Sequence, residues 1–198
     1  IVPNYFFRRD DNGNLTSGSG CGNDVASERP MVRKFIVDSV KYWANEYNMD
    51  GFRFDLMGLM DIKTINEITT ALNKIDPTIL VIGEGWNMGT LPANQRANQL
   101  NIQKLNRVSH FNDQIRDGVK GSVFDSADTG FATGKPGSRN DVMAGIVGNV
   151  DYSTSISTKW VTSYPGQSVN YVESHDNMTL VDKIKASVKD AKPSDIAQ

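Results

Sequence analysis

Two carboxylic acids with unusual neighbours are the first indication of chemistry in this sequence. Asp55 lies in GFRFDLMG, two positions after Arg53, and Glu84 lies in VIGEGW, two positions before a tryptophan, Trp86. Residues two apart on a strand share a face, so Arg53 would keep Asp55 ionised. The indole of Trp86 would instead favour a protonated Glu84. One ionised and one protonated carboxyl group are the pair that glycoside hydrolysis requires.

Arg53 and Asp55 alone also fit a second interpretation. A buried salt bridge between them would hold a strand in register without taking part in any reaction. Further polar residues at predicted strand ends, Glu84, His175 and Asp176, favour the reactive interpretation.

The spacing of the two acids predicts the elements that hold them. Asp55 and Glu84 are 29 positions apart, close to the ~30 residues of a strand–helix–strand unit with parallel strands. Between them, Asp61 is a good helix N-cap, and Asp76 before a proline ends the helix. Both acids are therefore predicted to follow a strand, at the same edge of a sheet.

Another helix and two more strands are predicted around this unit. Ser27 is the predicted N-cap of a helix whose core-facing stripe is Val32, Ile36, Val40, Trp43 and Tyr47. The apolar stretches around 105–113 and 168–177 end in Asp113 and Asp176. Acids at four strand ends are typical of a barrel or a doubly wound sheet. The predicted fold class is α/β, with about four consecutive parallel strands of a (β/α)8 TIM barrel.

Residues 1–26 have no helical or strand period and are predicted to form one long ordered loop. The stretch DDNGN offers oxygen ligands for calcium at Asp10, Asn12 and Asn14. The calcium-loop template, however, requires Gly where Leu15 stands and Glu where Cys21 stands. The motif is incomplete, so a plain turn is the preferred interpretation, and no cofactor or metal is predicted.

Composition narrows the classes of partner. The chain has 198 residues, 22% of them charged, and a net charge of −2 with the two signs interspersed, which argues against a nucleic-acid partner. No apolar run approaches the ~20 residues that span a bilayer, so no membrane partner is predicted. One cysteine, Cys21, excludes an intrachain disulfide. Nothing in the sequence distinguishes a cytoplasmic from a secreted location.

Three of these stretches carry a family resemblance. GFRFDLMG, VIGEGW and YVESHDN, in this order and approximate spacing, resemble signature segments of the alpha-amylase superfamily, glycoside hydrolase family 13. The residues of these segments, together with VESHDNMTL and SGSGCGNDVASERPMV, are similar to those of the type I pullulanases. These enzymes cut alpha-1,6 branch linkages in alpha-glucans. The resemblance covers nearly the whole chain and implies an alpha-glucan polysaccharide or oligosaccharide as the partner.

The resemblance also implies a role for each matching residue. Asp55 matches the catalytic nucleophile and Glu84 the general acid/base. Asp176 matches the second aspartate, which binds sugar hydroxyls and favours the distorted ring of the transition state. Arg53 matches the arginine beside the nucleophile, and His175 the histidine that hydrogen-bonds the strained sugar. The remaining expected sugar contacts are Trp86 and Asn177.

Two motifs of the family are missing. Its first signature, a strand that ends in Asp and an Asn–His pair, has no match, and neither has a tyrosine-rich motif of the pullulanases. A full barrel needs ~250 residues. Residues 1–198 are therefore interpreted as an internal part of one catalytic barrel domain, with a long loop over 1–26 and βα units over 27–198. Such a fragment is expected to be inactive alone and to self-associate through uncovered sheet edges and apolar faces.

Three functions remain open from the sequence. The first is a retaining alpha-1,6-glucan hydrolase of the pullulanase type, or a piece of one. The second is another hydrolase of the superfamily, such as an isoamylase or an alpha-amylase. The third is a non-catalytic alpha-glucan-binding fragment, which would be expected to lack one of Asp55, Glu84 and Asp176, although all three are present.

Overall fold

Helices and short strands alternate along the chain, as the order of its apolar runs predicts. The computed structural model describes residues 2–188. The helices are α1 (Pro30–Tyr47), α2 (Ile62–Asn73), α3 (Asp113–Lys120), α4 (Ser138–Ile146) and α5 (Leu180–Ser187). The strands are β1 (Gly51–Phe54), β2 (Leu80–Gly83), β3 (Ser109–Phe111) and β4 (Ser168–Val169). Across these described residues, no helix is long and apolar enough to cross a membrane.

The four strands form one sheet in the order β1-β2-β3-β4. β1 pairs in parallel with β2, with Phe54 opposite Gly83, and β2 pairs in parallel with β3, with Gly83 opposite His110. The predicted α/β class with four strands is confirmed, and its place in a (β/α)8 barrel stays a prediction. The chain divides into two compact units, Ile1–His110 and Phe111–Gln198.

The core of the first unit lies between the helices and the sheet. Its buried apolar side chains include those on one face of each helix and one on β2: Val32, Val40, Ala44, Ile65, Ile68, Leu72 and Val81. Asp61 caps α2 as predicted, because its side chain accepts the N–H of Thr64. The predicted Ser27 cap is wrong. α1 begins at Pro30 after Arg29, and the Ser27 hydroxyl instead exchanges hydrogen bonds with Asp61.

The predicted apolar stripe of α1 is only partly buried. Val32 and Val40 lie in the core, whereas Trp43 and Tyr47 are 43% and 54% exposed. The rings of Tyr42, Trp43 and Tyr47 pack against one another on the outer surface of the helix. This helix therefore presents an aromatic face outside the core of its unit.

Side-chain amides organise the second unit. Asn112 caps α3 by accepting the N–H groups of Gln114 and Ile115, and its own amide donates to Asn149. Asn149 in turn donates to the side chain of Gln114. α3 packs closely on α4, where a Cβ on Gly145 would clash with the side chain of Ile115. Buried polar groups are tolerated here because each amide finds a partner.

Both later strands are shorter than predicted. β3 ends at Phe111, so Asp113 is the first residue of α3 and does not close a strand. β4 contains only Ser168 and Val169, and Asp176 lies seven positions beyond its end, in a bend. The prediction of a strand over 168–177 is therefore wrong for most of that stretch.

Residues 2–26 contain no helix and lie outside the four strands of the sheet. Isolated bridges pair Phe7 with Val25 and Arg9 with Leu15. Asp10 accepts the backbone N–H groups of Asn12 and Asn14, at 3.0 and 2.8 Å. This is the turn interpretation of DDNGN, in which an aspartate side chain closes the turn.

Candidate active site at the ends of the first two strands

Asp55 and Glu84 lie side by side at the same edge of the sheet. β1 ends at Phe54 and β2 at Gly83, and these two residues are opposite each other in the register. The next residue of each strand is the acid. The spacing predicted this placement, because a strand–helix–strand unit brings equivalent strand ends together.

One guanidinium group joins the two carboxylates. Arg53 Nη1 donates to Asp55 Oδ1 at 2.8 Å, as the same-face argument predicts. Arg53 Nη2 lies 3.0 Å from Glu84 Oε1. The second ion pair was not predicted, because it depends on how β1 and β2 are aligned across the sheet.

The backbone of the first strand end holds Glu84 further. The Leu56 N–H donates to Glu84 Oε2 at 2.9 Å, so both carboxylate oxygens of Glu84 face N–H donors. Leu56 has φ +45° and ψ +42°, a left-handed conformation that costs a bulky residue on the order of 1–3 kcal/mol. The strained turn aims this N–H at Glu84, and strain of this kind is concentrated at functional sites.

The two acids differ in their exposure. The Asp55 side chain is 69% exposed, whereas that of Glu84 is 10% exposed. The Glu84 backbone is also fixed, since its N–H donates to Phe54 O and its carbonyl accepts the N–H of Gly58. Asp55 is therefore open to an incoming molecule, while Glu84 is held on several sides.

Close backbone approach explains two glycines at this site. A Cβ on Gly83 would lie 2.5 Å from Met57 Cε and 2.8 Å from Phe54 O. A Cβ on Gly58 would overlap the carbonyl oxygen of Trp86. No other residue type fits at either position without moving the backbone. Trp86, two positions after Glu84, is half-buried, and its main chain packs on Gly58.

Sequence reasoning missed two residues at this site, Leu56 and His110. His110 on β3 is fully buried, and its Nδ1 lies 3.2 Å from the carbonyl oxygen of Gly83. Burial lowers the pKa of His110 to about 4. The position of His110 within the predicted strand around 105–113 was a usable signal, whereas a positive φ at Leu56 has no sequence signal.

The other predicted site residues lie in the second unit. His175 and Asp176 have side chains that are 71% and 56% exposed, with Nε2 and Oδ1 3.5 Å apart. Asn177 adopts φ +65°, a left-handed conformation that asparagine tolerates. All three lie in an exposed bend between β4 and α5.

Contacts on the C-terminal side hold this bend. The carboxylate of Glu173 accepts the N–H of Leu180 at 2.6 Å, and Lys120 Nζ donates to Met178 O at 2.7 Å. Lys120 is 2% exposed, and burial lowers its pKa. Among the residues whose structure is described, no group of three or more His, Cys, Asp or Glu side chains is placed to hold a metal ion.

Comparison with known proteins identifies relatives over most of the chain. Pullulanase from Bacillus subtilis is 48% identical over 184 residues, which cover 92% of this chain and 25% of that protein. Isoamylase 3 from rice is 28% identical over 93% of this chain and 22% of its own length. No family model matches. The chain thus spans about a quarter of the length of these curated relatives.

Solved structures agree with these relatives. Pullulanase from Paenibacillus barengoltzii, in complex with maltohexaose and alpha-cyclodextrin, matches 99% of this chain and 30% of its own, with 47% identity and a TM-score of 0.95. Pullulanase from Anoxybacillus sp. LM18-11, complexed with maltotetraose, matches 98% of this chain and 27% of its own, with 45% identity and a TM-score of 0.90. The resemblance predicted from the motifs is confirmed: the chain is homologous to part of the pullulanases, in sequence and in fold.

Proposed function

We propose that the protein containing this chain is an alpha-glucan hydrolase that cuts alpha-1,6 branch linkages with retention of configuration. One observation carries the proposal. Two strand-end carboxylates share one guanidinium, in a chain homologous to pullulanases. Solved relatives complexed with maltooligosaccharides support an alpha-glucan as the ligand class.

Asp55 is the proposed nucleophile. Its exposed carboxylate attacks the anomeric carbon, and the hydrogen bond from Arg53 orients it. Glu84 gives a proton to the glycosidic oxygen as the bond to the leaving sugar breaks. The products of this step are a covalent glycosyl ester on Asp55 and a free sugar hydroxyl.

Glu84 acts as the base in the second step. It takes a proton from water as that water attacks the ester, which restores Asp55 and releases a sugar of retained configuration. In the present geometry both oxygens of Glu84 face N–H donors, which suits this carboxylate form. In the first step Glu84 must carry a proton, and we infer that Oε1 then releases Arg53.

His175, Asp176 and Asn177 are the proposed sugar-holding residues. Asp176 binds hydroxyl groups of the distorted ring, and His175 donates a hydrogen bond to the same sugar. Trp86 provides an aromatic surface beside Glu84 for the apolar face of a sugar ring. Hydrogen bonds that strengthen as the ring distorts contribute to rate as well as to binding.

The product formed from pullulan tests this function. The protein containing the chain should release maltotriose, and NMR should show that the first product keeps the alpha configuration. In a complex with an oligosaccharide, the carboxyl groups of Asp55 and Glu84 should lie about 5–5.5 Å apart. A beta-configured first product, or a separation in the ~6.5–9.5 Å range of inverting enzymes, would exclude the retaining mechanism.

The match to rice isoamylase 3 favours one alternative, a debranching or alpha-amylase-type hydrolase with another linkage preference. Attack on amylopectin branches without release of maltotriose from pullulan would support it. Binding of maltotetraose without turnover of any alpha-glucan would instead indicate a non-catalytic glucan-binding protein.

We further infer that residues 1–198 produced alone have little activity and self-associate. Apolar side chains such as Phe35 and Leu80 are 61% and 65% exposed, and α1 carries an exposed aromatic face. Uncovered apolar faces of this kind promote association. Light scattering and a pullulan assay on the purified chain test the inference, and an active, monodisperse monomer would contradict it.

A further inference from the structure

A buried histidine contacts the main chain on both sides of Glu84. His110 lies on β3, opposite Gly83 in the parallel register, and is fully buried. Its Nδ1 is 3.2 Å from Gly83 O. A Cβ on Gly85 would lie 2.5–2.6 Å from three atoms of the imidazole ring, so the ring packs directly on the Gly85 main chain.

The tautomer of His110 follows from these contacts. Gly83 O can only accept a hydrogen bond, so Nδ1 carries the proton of the neutral ring. Burial lowers the pKa of His110 to about 4, which keeps the ring neutral at ordinary pH. Within residues 2–188, no hydrogen-bond partner reaches Nε2. The ring is therefore oriented by its contact with Gly83.

Glu84 is flanked from the other direction as well. Met57 and Phe54 O lie close to the Gly83 α-carbon, and the Gly58 N–H donates to Glu84 O. The short chain segment Gly83–Gly85 is thus enclosed between His110 and the strand end that carries Asp55. No contact in this arrangement involves the Glu84 carboxylate and the His110 ring directly.

We propose that His110 is a positioning residue for Glu84, which it fixes through the Gly83 carbonyl and the Gly85 main chain. The inference rests on the proposed function, in which Glu84 transfers a proton to the glycosidic oxygen. Proton transfer needs a heavy-atom distance of about 2.6–3.2 Å. A displacement of about 1 Å can lower the rate a hundredfold. Loss of the His110 contact therefore impairs protonation of the leaving group more than it impairs attack by Asp55.

Three variants of the protein containing this chain separate the contributions of His110. His110→Asn keeps an N–H donor near the position of Nδ1. His110→Gln places its amide near the position of Nε2, and His110→Phe keeps a ring but has no donor. Each is assayed on an alpha-1,6-linked glucan oligosaccharide, whose leaving group needs a proton, and on alpha-maltotriosyl fluoride, whose fluoride leaves without one.

The readout is kcat/KM on the alpha-1,6-linked oligosaccharide divided by kcat/KM on the fluoride. The amount of folded enzyme cancels in this ratio. We expect His110→Phe and His110→Gln to lower this ratio roughly tenfold, and His110→Asn to keep it within about twofold of the parent. If His110→Phe fails to fold, the Asn and Gln pair gives the same comparison.

Three results would overturn the proposal. Equal losses on both substrates in the Phe and Gln variants would make His110 a structural residue only. If the ratio falls as far in His110→Asn as in His110→Gln, the hydrogen bond of Nδ1 is excluded as the contact that positions Glu84. A parent protein that hydrolyses neither substrate would overturn the proposed function itself, and this inference with it.

Discussion

The two groups of candidate site residues are built differently. Asp55 and Glu84 directly follow paired strands, and hydrogen bonds from Arg53 and from the main chain fix Glu84. His175 and Asp176 lie in an exposed bend beyond the end of a two-residue strand. Within the first group, Glu84 is held by an ion pair and hydrogen bonds on several sides, whereas the second group is held mainly at its C-terminal side.

Under the proposed function, this difference corresponds to two tasks of the reaction, the chemical step and the binding of the sugar. Groups that stabilise developing charge work best when they are fixed in advance, because no reorganisation is needed during the reaction. Residues that hold a variable substrate are commonly found on loops beside a rigid scaffold. We therefore infer that the strand-end acids perform the chemistry and that the bend adapts to the sugar.

The largest expected effect is at Asp55. Asp55→Asn should lower kcat on pullulan on the order of a thousandfold or more, because no other group can form the covalent intermediate. KM should change much less. The matched control is Asp38→Asn on α1, which removes an exposed carboxylate paired with Lys34 and should leave the rate unchanged. Near-parental activity of Asp55→Asn would restore the interpretation of Arg53 and Asp55 as a structural salt bridge.

A smaller loss is expected in the bend. Asp176→Asn keeps the shape of the side chain but weakens its hydrogen bonds to sugar hydroxyls, so kcat should fall about a hundredfold. Asp151→Asn, which alters another exposed residue of the second unit, is the control. An unchanged rate in Asp176→Asn would remove the bend from the site and leave the strand-end acids as the whole reactive centre.

The same contrast explains how much the sequence could predict. The period of two along a strand placed Arg53 beside Asp55, and the spacing of a strand–helix–strand unit placed Glu84 next to them. The second ion pair of Arg53 and the contact of His110 with Gly83 depend on register between strands, which no local pattern encodes. The positive φ of Leu56 is likewise set by the folded turn.

Long-range and local hydrogen bonds account for the wrong predictions. Ser27 has the right chemistry for a cap, but its hydroxyl is used by Asp61, 34 positions away. Beyond Val169, side chains compete with strand pairing, because Glu173 accepts the N–H of Leu180 and Ser174 Oγ accepts that of Asp176. Residue propensities for helix and strand take account of neither these long-range nor these local side-chain hydrogen bonds.

Asp61 helps to hold together the first unit, which carries Asp55 and Glu84. Asp61 is 5% exposed and accepts hydrogen bonds from Thr64, Ser27 and Arg33. Asp61→Asn removes the charge from these bonds, and we expect it to lower the free energy of unfolding at pH 7 by about 2 kcal/mol. Urea denaturation measures the change. Asp76→Asn, which alters an exposed turn carboxylate, should have a much smaller effect.

The effect of Asp61 should also depend on pH. Burial would raise the pKa of Asp61, but hydrogen bonds from Thr64 and Ser27 outweigh it and lower the pKa below 3.8. The stabilisation is therefore fully present above the unfolded value of about 3.9 and is lost as the pH falls through the lower folded value. The difference between parent and Asp61→Asn should shrink below about pH 4. A difference that stays constant down to about pH 2 would show that the charge of Asp61 contributes nothing.

The smallest expected effect concerns α5, the helix that follows the bend with His175 and Asp176. The Thr179 hydroxyl oxygen accepts the N–H of Asp182 and so caps α5, directly after the bend. Thr179→Ala should lower the local stability of α5 by about 1 kcal/mol, so that its amides exchange with deuterium about fivefold faster. Thr179→Ser keeps the oxygen and should exchange like the parent.

The bend itself should change little in Thr179→Ala. The Leu180 N–H still donates to the Glu173 carboxylate, so one hydrogen bond at the first turn of α5 remains. Faster exchange at Leu56 or Glu84 in the same variant would contradict the inference that these residues are held by their own hydrogen bonds.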